Sequence, residues 1–224
     1  MTKPYETDTT SEQDRWRIDN YAAAAPKPFA AEAGCLYSPG AMLQSNPPPR
    51  PAKDAVAARP IVLIGLMGAG KSTVGRRLAA RLRLPFVDAD NEIEAAAGMS
   101  IADIFERFGE AHFRDGERRV IARLIDGTPK VIATGGGAFI NDDTRALILE
   151  QAVAIWLDAD AAVLADRVKR RDTRPLLRGK DAKQVLLELA RKRNPVYALA
   201  PIRVSSHHAP HDQTVTAILK ALGL

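Results

Sequence analysis

Gly65-Leu66-Met67-Gly68-Ala69-Gly70-Lys71-Ser72 is the stretch on which the fold turns, a complete G-x-x-x-x-G-K-[ST] phosphate loop. Ahead of it stand Ile61, Val62, Leu63 and Ile64, four apolar residues, three of them β-branched, which suit a buried strand. Behind it Val74, Leu78 and Leu82 recur every four residues, the spacing of a helix face. The loop therefore joins a strand to a helix. Glycines at 65, 68 and 70 let backbone N–H groups turn inward around a β-phosphate, where the helix N-terminus adds its partial positive charge. Lys71 reaches the β- and γ-phosphates. The Ser72 hydroxyl can ligand Mg²⁺, which a triphosphate needs because its crowded oxygens repel one another and any nucleophile.

Outside this stretch the composition of the 224 residues divides the chain unequally. Residues 1–58 hold Ala22 to Ala25, the run Pro47 to Pro49 with Pro51, and no segment of helix or strand period. Lacking a burial face, they are expected to be a disordered N-terminal extension. Residues 59–224 carry dense periodic apolar segments and are expected to form one domain, a size that buries roughly 70% of its unfolded surface. The net charge is +5, and six basic against seven acidic residues lie in the extension, so 59–224 carries 26 basic and 20 acidic residues. Arg170, Arg171, Arg174 and Arg178 form one basic cluster, and Arg191, Lys192 and Arg193 another. Such clusters suit nucleic acid or phosphorylated small molecules, but no aromatic residues interleave them, which argues against nucleic acid as a partner. The single cysteine, Cys35, allows no internal disulfide, and a reducing cytoplasm is the expected home. No apolar run approaches the ~20 residues that a membrane helix needs. The acidic residues Glu6, Asp8, Glu12, Asp14 and Asp19 are out of character for a targeting leader. A monomer is the expectation.

Beyond the first helix, Pro85 to Asp88 reads as a short second strand, with Asp88-Ala89-Asp90 at its carboxyl end, where open α/β sheets bind ligands. Ser100 and Asp103 read as a capping box for a helix that Gly109 ends, and a longer helix runs from about Glu110 to Asp126. Lys130 to Ala133 forms a strand that breaks at Gly135-Gly136-Gly137. A helix near Asn141 to Glu150, a strand at Val153 to Leu157, helices at about Ala161 to Arg170 and Asp181 to Asn194, a strand at Ile202 to Val204 and a helix near Thr214 to Leu222 follow. Alternation of this kind implies an α/β fold with a parallel sheet. The charged loop Asp172 to Lys180, with Pro175 and Gly179, has the composition of a lid.

The candidate residues suit phosphoryl transfer, which needs an acceptor in line with the γ-phosphate, cationic groups for developing charge and exclusion of water. Asp88 and Asp90, two apart on a strand, nominally share a face. One carboxylate can hold Mg²⁺ through water and the other can meet an acceptor hydroxyl, with capping of the segment after Asn91 as the alternative. Arg114 and Glu117, three apart on a helix, can pair, and an Arg fixed in this way presents a rigid fork for a substrate carboxylate. The alternative is an ordinary surface pair. The triple glycine lets backbone approach a ligand closely and leaves N–H groups to donate to it. His207, His208 and His211 read as loop residues, and His112 as a packing or surface residue.

Taken together these residues resemble the shikimate kinase family of phosphate-loop kinases. The likeness covers essentially Pro60 to Leu222 and rests on G-L-M-G-A-G-K-S-T at 65–73, D-A-D at 88–90, S-I-A-D-I-F at 100–105, F-R-x-x-E at 113–117, G-G-G at 135–137, R-P-L-L at 174–177 and R-N-P-V-Y at 193–197. The resemblance implies a five-stranded parallel sheet of order 2-3-1-4-5 with a mobile lid, and transfer of phosphate from ATP to the 3-hydroxyl of shikimate. It implies further that Gly68, Ala69, Gly70, Lys71, Ser72 and Thr73 bind the ATP phosphates, with Ser72 on Mg²⁺ and Asp88 on the metal's water. Asp90 would meet the reacting hydroxyl, Arg114 and Arg193 would grip the carboxylate, Gly136 would donate its N–H to a substrate hydroxyl, and Arg174 would close over the phosphates with Lys71. One departure is that Ala200 stands three residues after Tyr197 and Pro201 four, which shortens the entry to the last strand and unsettles the alignment near Pro210. The extension matches nothing in the family pattern. Competing expectations are another small-molecule kinase of similar architecture, such as gluconate kinase, against which Gly135 to Gly137 with Arg114 and Arg193 favour a cyclic hydroxy-carboxylate, and a non-enzymatic ATP-dependent nucleic-acid binder, which leaves Asp88, Asp90 and the lid without a task.

Overall fold

Strand β1 (Ile61–Ile64) is buried along its whole length, every residue 1% exposed or less, so both of its faces are covered. The computed structural model describes residues 59–169, 181–206 and 210–224. The expected disordered extension, the lid and basic residues from Arg170 to Lys180 with Arg174 among them, and His207 and His208 lie outside the described residues. Within them, β2 (Phe86–Asp88), β3 (Val131–Ala133), β4 (Val153–Asp158) and β5 (Ile202–Ser205) join β1 in one parallel sheet of order β2-β3-β1-β4-β5, as expected. Ile61 is in register with both Val131 and Val153, and Phe86 with Val131. All five run in the same direction, with β5 set two residues further along β4, Ile202 beside Ile155. Gly65, Asp88, Thr134 and Ser206 therefore emerge at one edge of the sheet, and segments far apart in sequence meet there.

The first helix, α1 (Lys71–Leu82), buries Val74 and Leu78 as their spacing predicts. Gly75 lets it lie close to the sheet, since an added Cβ would fall 2.6 Å from the Phe86 ring and 3.2 Å from a Leu63 methyl. Next come α2 (Ala89–Ala97) and α3 (Ile101–Leu124). Ser100 caps α3 by accepting from the Asp103 N–H at 3.1 Å, and Gly109, at φ 80° and ψ 175°, breaks it where the sequence places an end. A single 3₁₀ turn, Ala138–Ile140, leads to α4 (Asp142–Gln151), capped by Asn141, and α5 (Ala161–Lys169) follows β4.

Two helix ends differ from expectation. Helix α6 (Ala182–Tyr197) continues through Pro195 instead of stopping at Asn194. Proline there deprives only the Arg191 carbonyl of its partner, and both residues are exposed, so water can replace the bond. Helix α7 (His211–Leu222) starts three residues early, because Pro210 at φ −54° leads directly into its first turn. His211 is thus a helix residue packed beside the phosphate loop, 3.5 Å from where a Cβ on Gly70 would stand, and not a loop residue. Among the described residues no helix is long and apolar enough to cross a membrane.

Candidate active site

The phosphate loop takes its shape from two close constraints. Gly65 sits at φ 134°, and a Cβ on it would fall 2.6 Å from the Leu157 carbonyl of β4. Gly70 sits at φ 92° and heads α1 with no side-chain cap, which leaves the first-turn N–H groups for an anion. Lys71 Nζ curls back to donate to the carbonyls of Gly65 at 2.8 Å and Leu66 at 3.0 Å. It thus lies across the loop that it serves. Behind the loop, the buried Ser206 hydroxyl donates to the Ala69 carbonyl at 3.0 Å, and Arg167 Nη1 makes long contacts to the Gly68 carbonyl at 3.4 Å and to Ser206 Oγ at 3.3 Å. Burial lowers the pKa of the Arg167 guanidinium. Sequence reasoning missed both residues, and the one available signal was the position of Arg167 beside the apolar Val163 and Leu164 of a predicted helix.

Ser72 Oγ donates to Asp88 Oδ2 at 2.6 Å, while Asp88 Oδ1 accepts from the Asp90 N–H at 3.2 Å and so caps α2. Capping and a place beside Ser72, the first offered by the sequence as the alternative to a metal role, belong to the same carboxylate. Asp90 departs from its expected place. It is not on the strand but in the first turn of α2, because the cap turns the chain at Asp88. Its carboxylate lies over the triple glycine, with Oδ1 2.9 Å from where a Gly135 Cβ would be.

The triple glycine is crowded on every side by functional groups. A Cβ on Gly135 would meet Glu117 Oε1 at 2.8 Å as well as Asp90, and one on Gly136 would lie 3.5 Å from Arg193 Nη1. A Cβ on Gly137 would overlap the Arg114 guanidinium. Arg193 Nη1 donates to the Gly136 carbonyl at 3.0 Å, and the Tyr197 hydroxyl donates to the same oxygen. Arg114 donates to Glu117 Oε2 at 2.7 Å and to Glu110 Oε1 at 3.0 Å through Nη2. Glu117 is only 2% exposed, so its pair with Arg114 is not the surface contact that the sequence allowed as the alternative.

Charge is tuned accordingly. Burial raises the pKa of Glu117, Arg114 pulls it down, and nearby Asp90 adds to the rise. Burial would lower that of Arg114, but Glu117 and Glu110 outweigh it and the net shift is upward. Burial pushes the Tyr197 phenol up to about 12, so it keeps its proton as a donor. Two forked cations thus flank consecutive glycines next to a carboxylate, with a phosphate loop on the adjoining strand.

The family model for shikimate kinase matches residues 67–223. The chain belongs to the shikimate kinase family. A shikimate kinase of Caulobacter vibrioides is 63% identical over 165 residues, which are 74% of this chain and 82% of the relative. One of Bradyrhizobium diazoefficiens is 58% identical over 169 residues, 75% of this chain and 82% of the relative. Among solved structures, a shikimate kinase from Acinetobacter baumannii in complex with shikimate superposes with a TM-score of 0.71 at 34% identity, covering 76% of this chain and 96% of that one. For a shikimate kinase, the shortened entry to the last strand is accommodated by a tight turn, in which the Ala200 N–H donates to the Tyr197 carbonyl at 3.0 Å before β5 begins at Ile202.

Proposed function

We infer that this chain transfers the γ-phosphoryl group of ATP to the 3-hydroxyl of shikimate, giving shikimate 3-phosphate and ADP on the route to chorismate and the aromatic amino acids. The observation that carries the acceptor side is the placement of Arg114 and Arg193 against adjacent residues of one turn, Gly137 and Gly136, beside Asp90. Two guanidinium groups held by Glu117 and by a carbonyl are set for a single planar carboxylate. A neutral polyol offers them single hydroxyl acceptors without charge or the planar pair of oxygens.

In this reading Lys71 leaves the Gly65 and Leu66 carbonyls for the β- and γ-phosphate oxygens, with the N–H groups of Gly68 to Thr73 around them. Asp90 accepts a hydrogen bond from the 3-hydroxyl, orients its lone pair toward phosphorus and takes its proton late in the transfer, since a loose transition state asks more for alignment than for ionisation. Gly136 donates its N–H to a substrate hydroxyl, and Arg174 of the lid neutralises phosphate charge. Mg²⁺ fits the donor set: the Ser72 hydroxyl donates its proton to Asp88 and keeps lone pairs for a hard cation, so Ser72 would hold the ion and Asp88 would help hold it through water. Among the described residues no cluster of three His, Cys, Asp or Glu competes for it. When bound, the ion neutralises charge on the triphosphate. The protein acts as a cytoplasmic monomer without nucleic-acid partners.

Calorimetry with shikimate and ATP separately tests the assignment. Arg114→Lys and Arg193→Lys keep charge but lose the planar fork, so shikimate affinity should fall about 10-fold or more while ATP affinity stays. Arg174→Ala should impair ATP use and kcat with little effect on shikimate binding. Unchanged shikimate affinity in both lysine variants would overturn the carboxylate clamp.

A further inference from the structure

The triple glycine poses a physical problem that its ligand role does not answer. Three consecutive glycines are the most freely moving backbone available, yet the turn has to hold donors in fixed directions. Side chains cannot stiffen it, because the space for a Cβ is taken at Gly135 by Glu117 and Asp90 and at Gly137 by Arg114. Rigidity has to come from outside. The preceding residue is pinned, since Thr134 donates to the Leu63 carbonyl from Oγ1 at 3.1 Å and from its N–H at 3.3 Å. Gly135 and Gly137 give their carbonyls to the N–H groups of Ala138 at 3.3 Å and Ile140 at 3.0 Å. The middle peptide is held by side chains instead: the Gly136 carbonyl accepts from Arg193 and from Tyr197.

The two donors to that oxygen differ in what they can do. Arg193 is half-buried and has substrate to attend to, whereas Tyr197, one helical turn further along α6, is fully buried with its ring 6.0 Å from that of Trp156 on β4. A carbonyl oxygen has two lone-pair directions. With the phenol fixed on one, the guanidinium is confined to the other, and it bonds to the phenol directly as well.

We propose that Tyr197 is a positioning residue for the acceptor substrate: its hydroxyl, acting through the Gly136 carbonyl, fixes the triple-glycine turn and the direction of the Arg193 guanidinium. Burial pushes the phenol up to about 12, so it keeps its proton near neutral pH and remains a donor. The effect should fall mainly on the acceptor, because the Tyr197 hydroxyl bonds to Gly136, although that glycine also packs on the phosphate loop, its Cβ position 3.4 Å from the Gly65 carbonyl and 3.5 Å from the Met67 nitrogen. The inference rests on the reading of Arg193 and the triple glycine as the shikimate site.

The test is Tyr197→Phe, which keeps the ring against Trp156 and removes one oxygen, measured beside Arg193→Lys and the double variant. Loss of one hydrogen bond predicts a shikimate KM raised about fivefold with the ATP KM within about twofold of the parent. The two changes act through one carbonyl, so the double variant should fall short of the product of the single effects. If Arg193→Lys weakens shikimate binding but Tyr197→Phe does not, or if the two effects multiply, the positioning role is wrong while the site reading stands. If Arg193→Lys leaves shikimate binding intact, the site reading itself fails. A Tyr197→Phe protein that does not fold, or whose two KM values rise together, overturns the proposal by showing that the hydroxyl holds the core and not the site.

Discussion

Gly137→Ala should cripple shikimate binding although nothing in the backbone forbids the substitution. Gly137 sits at φ −100° and ψ −17°, a conformation open to any residue. Its need for hydrogen in place of a side chain comes from the Arg114 guanidinium, which supplies the three nearest atoms, with Cζ and Nη2 2.6 Å and 2.7 Å from where the methyl would stand and Nη1 closer still. To bring its nearest atom, Nη1, to an ordinary contact the guanidinium has to retreat by about 1.1 Å, and the pair it belongs to is oriented by a 2.7 Å bond to a buried carboxylate. Loss of a charge-assisted hydrogen bond of this kind costs about 1.5–3 kcal/mol, so with a factor of ten per ~1.4 kcal/mol the affinity for a carboxylate substrate should fall roughly 10- to 100-fold. Calorimetric titration with shikimate and with ATP reads the effect, and the ATP constant should not move. The same substitution made in an Arg114→Ala background should add little, because the obstacle has gone. Parent-like shikimate binding by Gly137→Ala would refute the reasoning, since it would mean that the fork either yields without loss or is not the group that grips.

Asp90→Asn and Lys71→Ala should each lower kcat by roughly 10² or more with the fold intact by circular dichroism, and near-parental turnover in a folded Asp90→Asn would remove that residue from the chemistry. Glu117 offers a test against pH. Burial has raised its pKa above the ordinary 4.5, and a carboxyl shifted in that direction stabilises the fold most below its unfolded value and loses that contribution as pH rises through the folded one. The Tm difference between Glu117→Gln and the parent should therefore move in favour of the variant as pH climbs above about 4.5, and a flat difference up to about pH 7 would contradict the assigned shift. Deleting residues 1–58, whose sequence shows no helix or strand period, should leave Tm and kcat/KM nearly unchanged; a transition lowered by several degrees would show that the segment packs on the domain.

What the sequence disclosed and what it withheld divide along a physical line. The strand at Ile61 to Ile64, the turn at Gly65 to Gly70 and the helix after it are local matters, decided by apolar spacing and glycine placement within a dozen residues, and the sheet order followed once the resemblance supplied it. Asp90 was misplaced for a local reason too: a strand and a helix meet at Asp88, and only the capping bond to the Asp90 N–H shows which residue turns the chain. Ser206, Arg167 and His211 were out of reach for a different reason. Their positions against Ala69, Gly68 and Gly70 depend on the chain crossing the sheet and returning to the same edge, and no spacing within a segment encodes such a meeting. The glycines at 135–137 show both kinds of information at once. Their sequence announces a backbone that something must approach closely. Only the fold reveals that what approaches is Arg114, Glu117 and Asp90, so Gly135 and Gly137 are required by the protein's own site before any substrate arrives. A site built in this way is sensitive to the smallest side chain, which is why a single methyl at Gly137 tests it more sharply than removal of any of the charges around it.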